Sequence, residues 1–446
     1  MSQDQGSIRS FCSKGYGIAV TQKGAEVEVA HTVPGDEIVF EWTRKKRTPH
    51  KGRLAEILTP SADRVEPRCA HAKMCGGCCW QQMDYPAQLR VKEERVRAAF
   101  GGKVPVEPMI GCDSPWGYRN KMEFTFSENR AGTRFLGLMI AQAEPYVFNL
   151  TECHLVNPWM AEMVLAVRNW WETSGLKAYH PPEDSGSLRY LTLREGMRTG
   201  EQMVVLNVSG NAEFALHRAQ LDGFVAAVQG EGRSVFLRIH QTKKGRPTQF
   251  FEMHLSGKDH IVEELHLKGG KLSFKISPIS FFQPNTLQAE KLYDAALSFL
   301  GESEVVYDLY CGTGTLAMGA SQKAKRVVGI EISPEAVLDA EENGLRNGIG
   351  NVKFYQGDVG QVLAQLKEAR PDAVLVDPPR AGLDPLALHH LKELLPQKII
   401  YISCNPLTQA SNIEELRQVG YRIRRLQPVD QFPHTYHIEN IAVLER

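Results

Sequence analysis

Val305-Val306-Tyr307-Asp308-Leu309-Tyr310 runs into Cys311-Gly312-Thr313-Gly314-Thr315 and then into the apolar Leu316-Ala317-Met318. The first six residues read as a buried strand, the glycine pair as a tight turn, and the continuation as a helix. The same alternation surrounds it. A helix over 285–300 precedes it. Strands over 326–331, 352–356, 373–377 and 398–403 follow, separated by helices over 334–346, 360–368 and 384–394. Strands alternating with helices predict an α/β fold with a doubly wound, Rossmann-like parallel sheet.

In such a sheet, ligands gather beyond the carboxyl ends of the strands. Gly312 and Gly314 would let backbone approach a ligand where a Cβ would clash. Glu331 ends the second strand, where a carboxylate can take both ribose hydroxyls. Asp358, in Gln356-Gly357-Asp358-Val359, suits an adenine amino group. Carboxylates at strand ends also cap helices, but a turn and two acids at successive strand ends point to a nucleoside-bearing cofactor. The dinucleotide pattern GxGxxG is absent, because Thr315-Leu316-Ala317 follows the glycines. S-adenosylmethionine is therefore favoured over a pyrophosphate.

Two further strand ends carry chemistry. Asp377-Pro378-Pro379-Arg380 closes the fourth strand with a stiff turn. Ile399-Ile400-Tyr401-Ile402-Ser403-Cys404-Asn405-Pro406 is an apolar run that ends in a polar turn, with Cys404 at the strand end. A free cysteine is most often a small buried hydrophobe. Asp-Pro-Pro turns also occur in enzymes that methylate exocyclic amines, and an amine needs no nucleophile. A pyrimidine C5 does need one, since it becomes nucleophilic only after a thiolate adds at C6.

The chain has 446 residues, enough for two to four domains. Its 42% hydrophobic and 23% charged content is that of globular proteins. Lys+Arg and Asp+Glu balance at 52 each, so a nucleic-acid surface would have to concentrate its positive charge locally. The start, through Ser10, is polar, and no apolar window approaches the ~18 residues of a membrane span. A cytosolic protein without a membrane partner is expected, and no protein partner is indicated. Nine cysteines in a reducing compartment point to metal binding or catalysis, not to disulfides.

Residues 1–66 read as five short strands with glycine turns, a small barrel of the oligonucleotide-binding kind. Arg44-Lys45-Lys46-Arg47 beside Trp42 gives local positive charge suited to RNA phosphates. Residues 67–275 read as an α+β domain: a helix between Tyr85-Pro86-Ala87 and Gly101-Gly102, another over 158–173, and strands over 117–126, 135–139, 146–150, 188–194, 203–209, 235–241 and 272–276. Lys243-Lys244-Gly245-Arg246-Pro247 is a basic loop. Residues 276–446 form the Rossmann-like domain.

Cys69, Cys75 and Cys78 flank a glycine pair that lets three thiols turn toward one centre. Zinc or an iron–sulfur cluster needs a fourth ligand. Cys79, Cys112, Cys153, Cys12 and His71 are candidates, with Cys153 the best placed, and spacing leaves the choice of metal open.

Together Ser403-Cys404-Asn405-Pro406, Asp377-Pro378-Pro379-Arg380, the Gly312/Gly314 turn, Phe281-Phe282-Gln283-Pro284-Asn285 and Phe432-Pro433-His434-Thr435-Tyr436-His437-Ile438-Glu439 resemble the RNA (uracil-5-)-methyltransferase family. The resemblance runs from about residue 8 to the C-terminus. The N-terminal stretch looks like a TRAM domain, and Cys69 to Gln81 like the iron–sulfur motif of the 23S rRNA branch. The resemblance implies a [4Fe–4S] cluster on Cys69, Cys75, Cys78 and Cys153. It implies S-adenosylmethionine contacts from Gln283, Tyr310, Thr315, Glu331, Asp358 and Asp377. It makes Cys404 the nucleophile, in a site that favours its thiolate, and Glu439 the base. It also implies that residues 82–112 pack with the catalytic domain. RNA would be bound through single-stranded shape, with Arg119 and Lys121 contributing. The expected substrate is 23S rRNA. The tRNA T-loop, N-methylation through the Asp-Pro-Pro turn, and a non-catalytic iron–sulfur RNA-binding protein are the alternatives.

Overall fold

The computed structural model describes residues 2–43, 50–141, 143, 145–242, 245 and 248–446. Arg44, Lys45, Lys46 and Arg47, and the basic residues of the loop at 243–247, lie outside the described residues.

Five strands, β1 (Ser2–Phe11), β2 (Gly17–Val20), β3 (Glu26–Val29), β4 (Glu37–Trp42) and β5 (His50–Thr59), close into a barrel in the order β1-β2-β3-β5-β4. Inward residues of each strand, among them Ile8, Ala19, Val27, Ile38 and Phe40, fill its interior. Two of the strands are ten residues long, not short.

α1 (Tyr85–Ala99) begins where Asp84 accepts a hydrogen bond from the Ala87 amide and ends before Gly101, which takes a positive φ. β6 (Lys121–Glu128), β7 (Arg134–Gly137), α2 (Pro158–Ser174), β8 (Leu188–Glu195), β9 (Gln202–Ser209), α3 (Arg218–Val228), β10 (Arg233–Gln241) and β11 (Gln249–Ser256) follow. The strands form one sheet in the order β11-β10-β9-β8-β6-β7. Helices α2 and α3 cover one of its faces, burying Phe124, Trp171, Leu191, Leu206 and Phe224 in one cluster. The stretch 146–150 is not a strand. It makes one bridge, Met139 to Val147, because Phe148 and Leu150 turn inward to this cluster.

β12 (Ile261–Leu267) and β13 (Gly270–Ile276) form a hairpin. Next come α4 (Thr286–Ser298), β14 (Ser303–Leu309), α5 (Thr315–Ala320), β15 (Ala324–Glu331), α6 (Pro334–Arg346), β16 (Val352–Gln356), α7 (Val359–Gln365), β17 (Ala373–Val376), α8 (Pro385–Leu394), β18 (Lys398–Ser403), α9 (Pro406–Arg417), β19 (Arg422–Val429) and β20 (Glu439–Glu445). The sheet order is β16-β15-β14-β17-β18-β20-β19. The first five are parallel, and β20 runs antiparallel between β18 and β19. Both faces are covered, so alternate residues enter different cores: Val306 and Val327 one, Tyr307 and Val328 the other. Strand order reverses between β14 and β17, which opens a crevice at their carboxyl ends. The stretch after α1 joins this unit, since Ile110 bridges Val429 and its amide donates to Pro428 O. No helix among the described residues is long and apolar enough to cross a membrane.

Candidate functional site

A cavity of about 1200 Å³ fills the crevice. Strand register builds its floor. Leu309 and Val376 are the last paired residues of β14 and β17, so Tyr310 and Asp377 emerge together at its edge. Ser403 pairs with Asn440 in the antiparallel ladder of β18 and β20. One residue further, Cys404 and Glu439 come opposite one another, and both line the cavity. The Asn405 amide group donates to Arg380 O, tying the cysteine turn to the Asp-Pro-Pro-Arg turn.

Gln283, Tyr310, Gly312, Thr315, Glu331, Asp358 and Asp377 all line the same space. Glu331 Oε2 accepts from the Gly312 amide at 3.0 Å and Oε1 from the Ser333 amide at 2.9 Å, so its carboxylate is held across the turn. Asp358 lines the cavity and also caps α7, accepting from the Gln361 amide. Tyr310 takes a positive φ of 64°, and its hydroxyl donates to Asp384. Gly314 does not line the cavity. A Cβ there would meet Phe354 at 2.8 Å, and its φ is 83°, so it serves packing and the start of α5 in place of ligand approach.

The electrostatics run against the expected thiolate. Burial, reinforced by Glu439 and Asp377 and opposed by Arg380, pushes the Cys404 thiol up to about 11. Burial raises Asp377 to about 7. Burial and then Asp377 hold Glu439 well above the usual carboxylate range. The ligand-free site therefore holds a thiol and a protonated acid at neutral pH.

Sequence reasoning passed over Asp308, which lines the cavity from inside β14. It is fully buried, beside the backbone amide of Ala317. Its signal was an acid inside an otherwise apolar strand. Asp339 and Tyr293 also line the cavity without having been singled out.

Arg119 reaches the cavity, its Nε donating to Lys121 O. Lys121 does not line the cavity. Burial and then Arg194 and Arg238 lower it to about 8.

Cys69, Cys75, Cys78 and Cys153 line a second, smaller cavity together with His71. Cys79, Cys112 and Cys12 do not. Cys79 faces Gly15, and Cys112 Sγ donates to Asp430 O. His71 Nε2 accepts from the Thr151 amide. Burial raises Cys153 to about 11, and Cys78 further. Gly77, between Cys75 and Cys78, borders both cavities.

The model of the tRNA (uracil-5-)-methyltransferase family matches residues 245–446. An uncharacterized RNA methyltransferase of Protochlamydia amoebophila is 48% identical over 440 residues, covering 94% of this chain and 99% of that protein. One from Clostridium tetani is 33% identical over 98% of this chain and 95% of its own. The chain belongs to the RNA (uracil-5-)-methyltransferase family. Membership makes it an RNA methyltransferase that uses S-adenosylmethionine. Among solved structures, the Pyrococcus abyssi tRNA (uracil-54, C5)-methyltransferase in complex with S-adenosyl-L-homocysteine superposes with a TM-score of 0.77 at 27% identity. That match spans 99% of this chain and 100% of the other, so it includes the barrel.

Proposed function

We propose that this methyltransferase acts on C5 of a uridine in 23S rRNA, with Cys404 as nucleophile and Glu439 as base. The observation that carries the reading is the facing of Cys404 and Glu439 across the end of the β18–β20 ladder, in the cavity that Glu331 and Asp358 also line. A site for nitrogen methylation needs neither a thiol nor a base aimed at one ring.

The donor fits the acidic half of the cavity. Glu331 would take the ribose hydroxyls, Asp358 the adenine amino group, and Gln283, Tyr310, Gly312, Thr315 and Asp377 the remaining edges. When bound, S-adenosylmethionine supplies an electrophilic methyl group for C5 and a sulfonium charge. Asp308, Asp377 and Glu439 line the cavity together, and a cation bound there would offset their crowding and favour their ionised forms. The Cys404 thiolate adds to C6, forming a carbon–sulfur bond and moving the ring π electrons onto the C4 carbonyl oxygen. The enolate gives C5 its nucleophilicity. Once C5 carries the methyl group, whose bond to the donor's sulfur would break to leave a neutral thioether, the Glu439 carboxylate takes the C5 proton, the C5–C6 double bond re-forms, and Cys404 leaves as thiolate. The base must be face-on to the thiol, hence extruded from its stack or drawn from a loop.

The same reading gives the cysteine cavity a [4Fe–4S] cluster on Cys69, Cys75, Cys78 and Cys153, which line it together. We assign the cluster a structural role, because the reaction transfers no electron. The barrel over 1–66, Arg119 and Lys121 serve RNA binding, 67–275 carries the cluster, and 276–446 with 82–112 carries catalysis. The compartment is the cytoplasm.

A tRNA T-loop uridine is the second reading, favoured by the names of the matching family model and of the Pyrococcus abyssi structure. Methylation of total cellular RNA with labelled S-adenosylmethionine, followed by nucleoside analysis and mapping, tests both. Label in 5-methyluridine of 23S rRNA is expected. Label in tRNA alone selects the second reading, and label in a methylated nitrogen rejects both.

A further inference from the structure

Helices α2 and α3 cover one face of the six-stranded sheet, and the catalytic core covers part of the other. Phe124, Leu191, Leu206 and Leu237 point to α2 and α3, so their neighbours in each strand point the other way. At one end of that second face, Met203, Val205 and Phe236 pack into the catalytic core. Beyond them Thr192, Arg194 and Asn207 are still buried, and the face opens toward Tyr190, Arg238, His240 and Phe250.

The open part is aromatic and cationic. His240 lies between Tyr190 and Phe250, with ring centroids 6.1 and 4.7 Å away. Phe250, on the edge strand, is 51% exposed. His240 Nε2 donates to Asn207 Oδ1 at 3.1 Å, and burial with Arg189 and Arg238 nearby lowers it to about 4, so the ring is neutral. Arg189 stacks 4.1 Å from the Tyr179 ring, and its Nε and Nη1 are buried there without a hydrogen-bond partner. Arg238 pairs with Glu252 at 2.6 Å. Glu252 and the exposed Glu123 are the acids on this face.

The face also leads to the catalytic cavity. Arg194, on the same side of β8 as Tyr190, donates to Ser280 O at 2.8 Å, and Ser280 lines that cavity. Lys121 and Arg119 stand beside this junction. A protein partner would call for a continuous apolar patch. Separated, partly exposed rings among cations instead suit bases that stack.

We propose that this sheet face, through Tyr190, His240, Phe250, Arg189 and Arg238, binds single-stranded RNA flanking the methylated nucleotide. The proposal rests on the RNA reading of the catalytic site and extends it to the path of the chain outside the cavity. Stacking tolerates any base, so the face sets affinity and leaves the choice of uridine to the cavity.

The test uses the full chain and an oligouridylate of about twelve nucleotides, within the range that single-strand sites cover. Phe250→Ala combined with Tyr190→Leu is expected to raise its dissociation constant by about 5- to 50-fold, with Phe250→Trp close to the parent. An oligomer bearing 4-thiouridine is expected to crosslink to peptides containing Tyr190 or Phe250. Phe250→Ala alone, at an exposed position, serves if the double variant melts early. Affinity within about twofold of the parent for these variants, or no binding by the parent, overturns the proposal and leaves the face to a protein partner or to none. The readout is binding, so such a failure leaves the roles of Cys404 and Glu439 standing. Their own failure would appear as the absence of a covalent complex with 5-fluorouridine RNA.

Discussion

Lys92 Nζ lies 2.6 Å from Asp430 Oδ1, and both side chains are fully buried. Lys92 also donates to Phe432 O, Arg95 to Tyr436 O, and Gln88 accepts from the His434 amide. One helix, α1, thus grips the whole stretch that leads into Glu439. Lys92→Met would leave Asp430 buried without its partner, which costs about 3–5 kcal/mol. Urea unfolding is expected to show that loss, and the double change with Asp430→Leu is expected to restore much of it. A single variant as stable as the parent would show that the pair does not hold this stretch.

Cys404 gives a pH signature. With its thiol near 11, the thiolate fraction rises about tenfold per pH unit through the neutral range. Covalent complex formation with 5-fluorouridine RNA is expected to accelerate between about pH 7 and 9 and to vanish in Cys404→Ala. A flat profile would mean that bound ligands have already ionised the thiol.

Glu439→Gln separates addition from elimination. An amide cannot take the C5 proton, so the methylated adduct should stay attached to Cys404. A protein–RNA band that resists denaturation is expected with ordinary uridine RNA, together with a loss of turnover of about 100-fold or more. Normal turnover would move the base role to another group.

Much of this was readable in the chain because buried parallel strands are continuous apolar runs. The strands at 352–356 and 398–403 and the helix at 334–346 fall where the pattern predicts. The elements missed carry weak patterns. α3 buries only Phe224 and Val228, and β11 is an edge strand largely open to solvent. Lys92 and Asp430 are 338 residues apart in sequence, so no local signal joins them. Asp308 was hidden by the apolar strand around it, and Gly314 was misread because a turn glycine looks the same whether it faces a ligand or Phe354.

The cysteine cavity makes a prediction about iron. Protein purified without oxygen is expected to be brown and to hold about four irons per chain, and Cys75→Ser to lose most of them. Gly77 borders both cavities, so loss of the cluster should loosen the catalytic wall as well. A fall in melting temperature together with weaker donor binding is expected. A chelated protein that melts and methylates like the parent would remove the structural role.

Asp308 stores the last prediction. Burial, followed by Asp377 and with Glu331 behind it, holds its folded-state pKa well above 3.8, and the Ala317 backbone amide offsets that only in part. A carboxyl group raised in this way binds its proton more tightly in the folded chain. Its contribution to stability is full below the unfolded value and is lost as pH rises through the folded one. Asp308→Asn keeps the shape and cannot ionise. The variant is therefore expected to gain stability relative to the parent as pH rises from about 5 to 8, read as a widening difference in melting temperature without ligand. Donor binding should reverse the order, because an amide supplies no negative charge to face a sulfonium. Parallel melting curves across that range would mean that Asp308 is already ionised in the folded protein, and would transfer the burden of neutralising the cavity to Asp377 and Glu439.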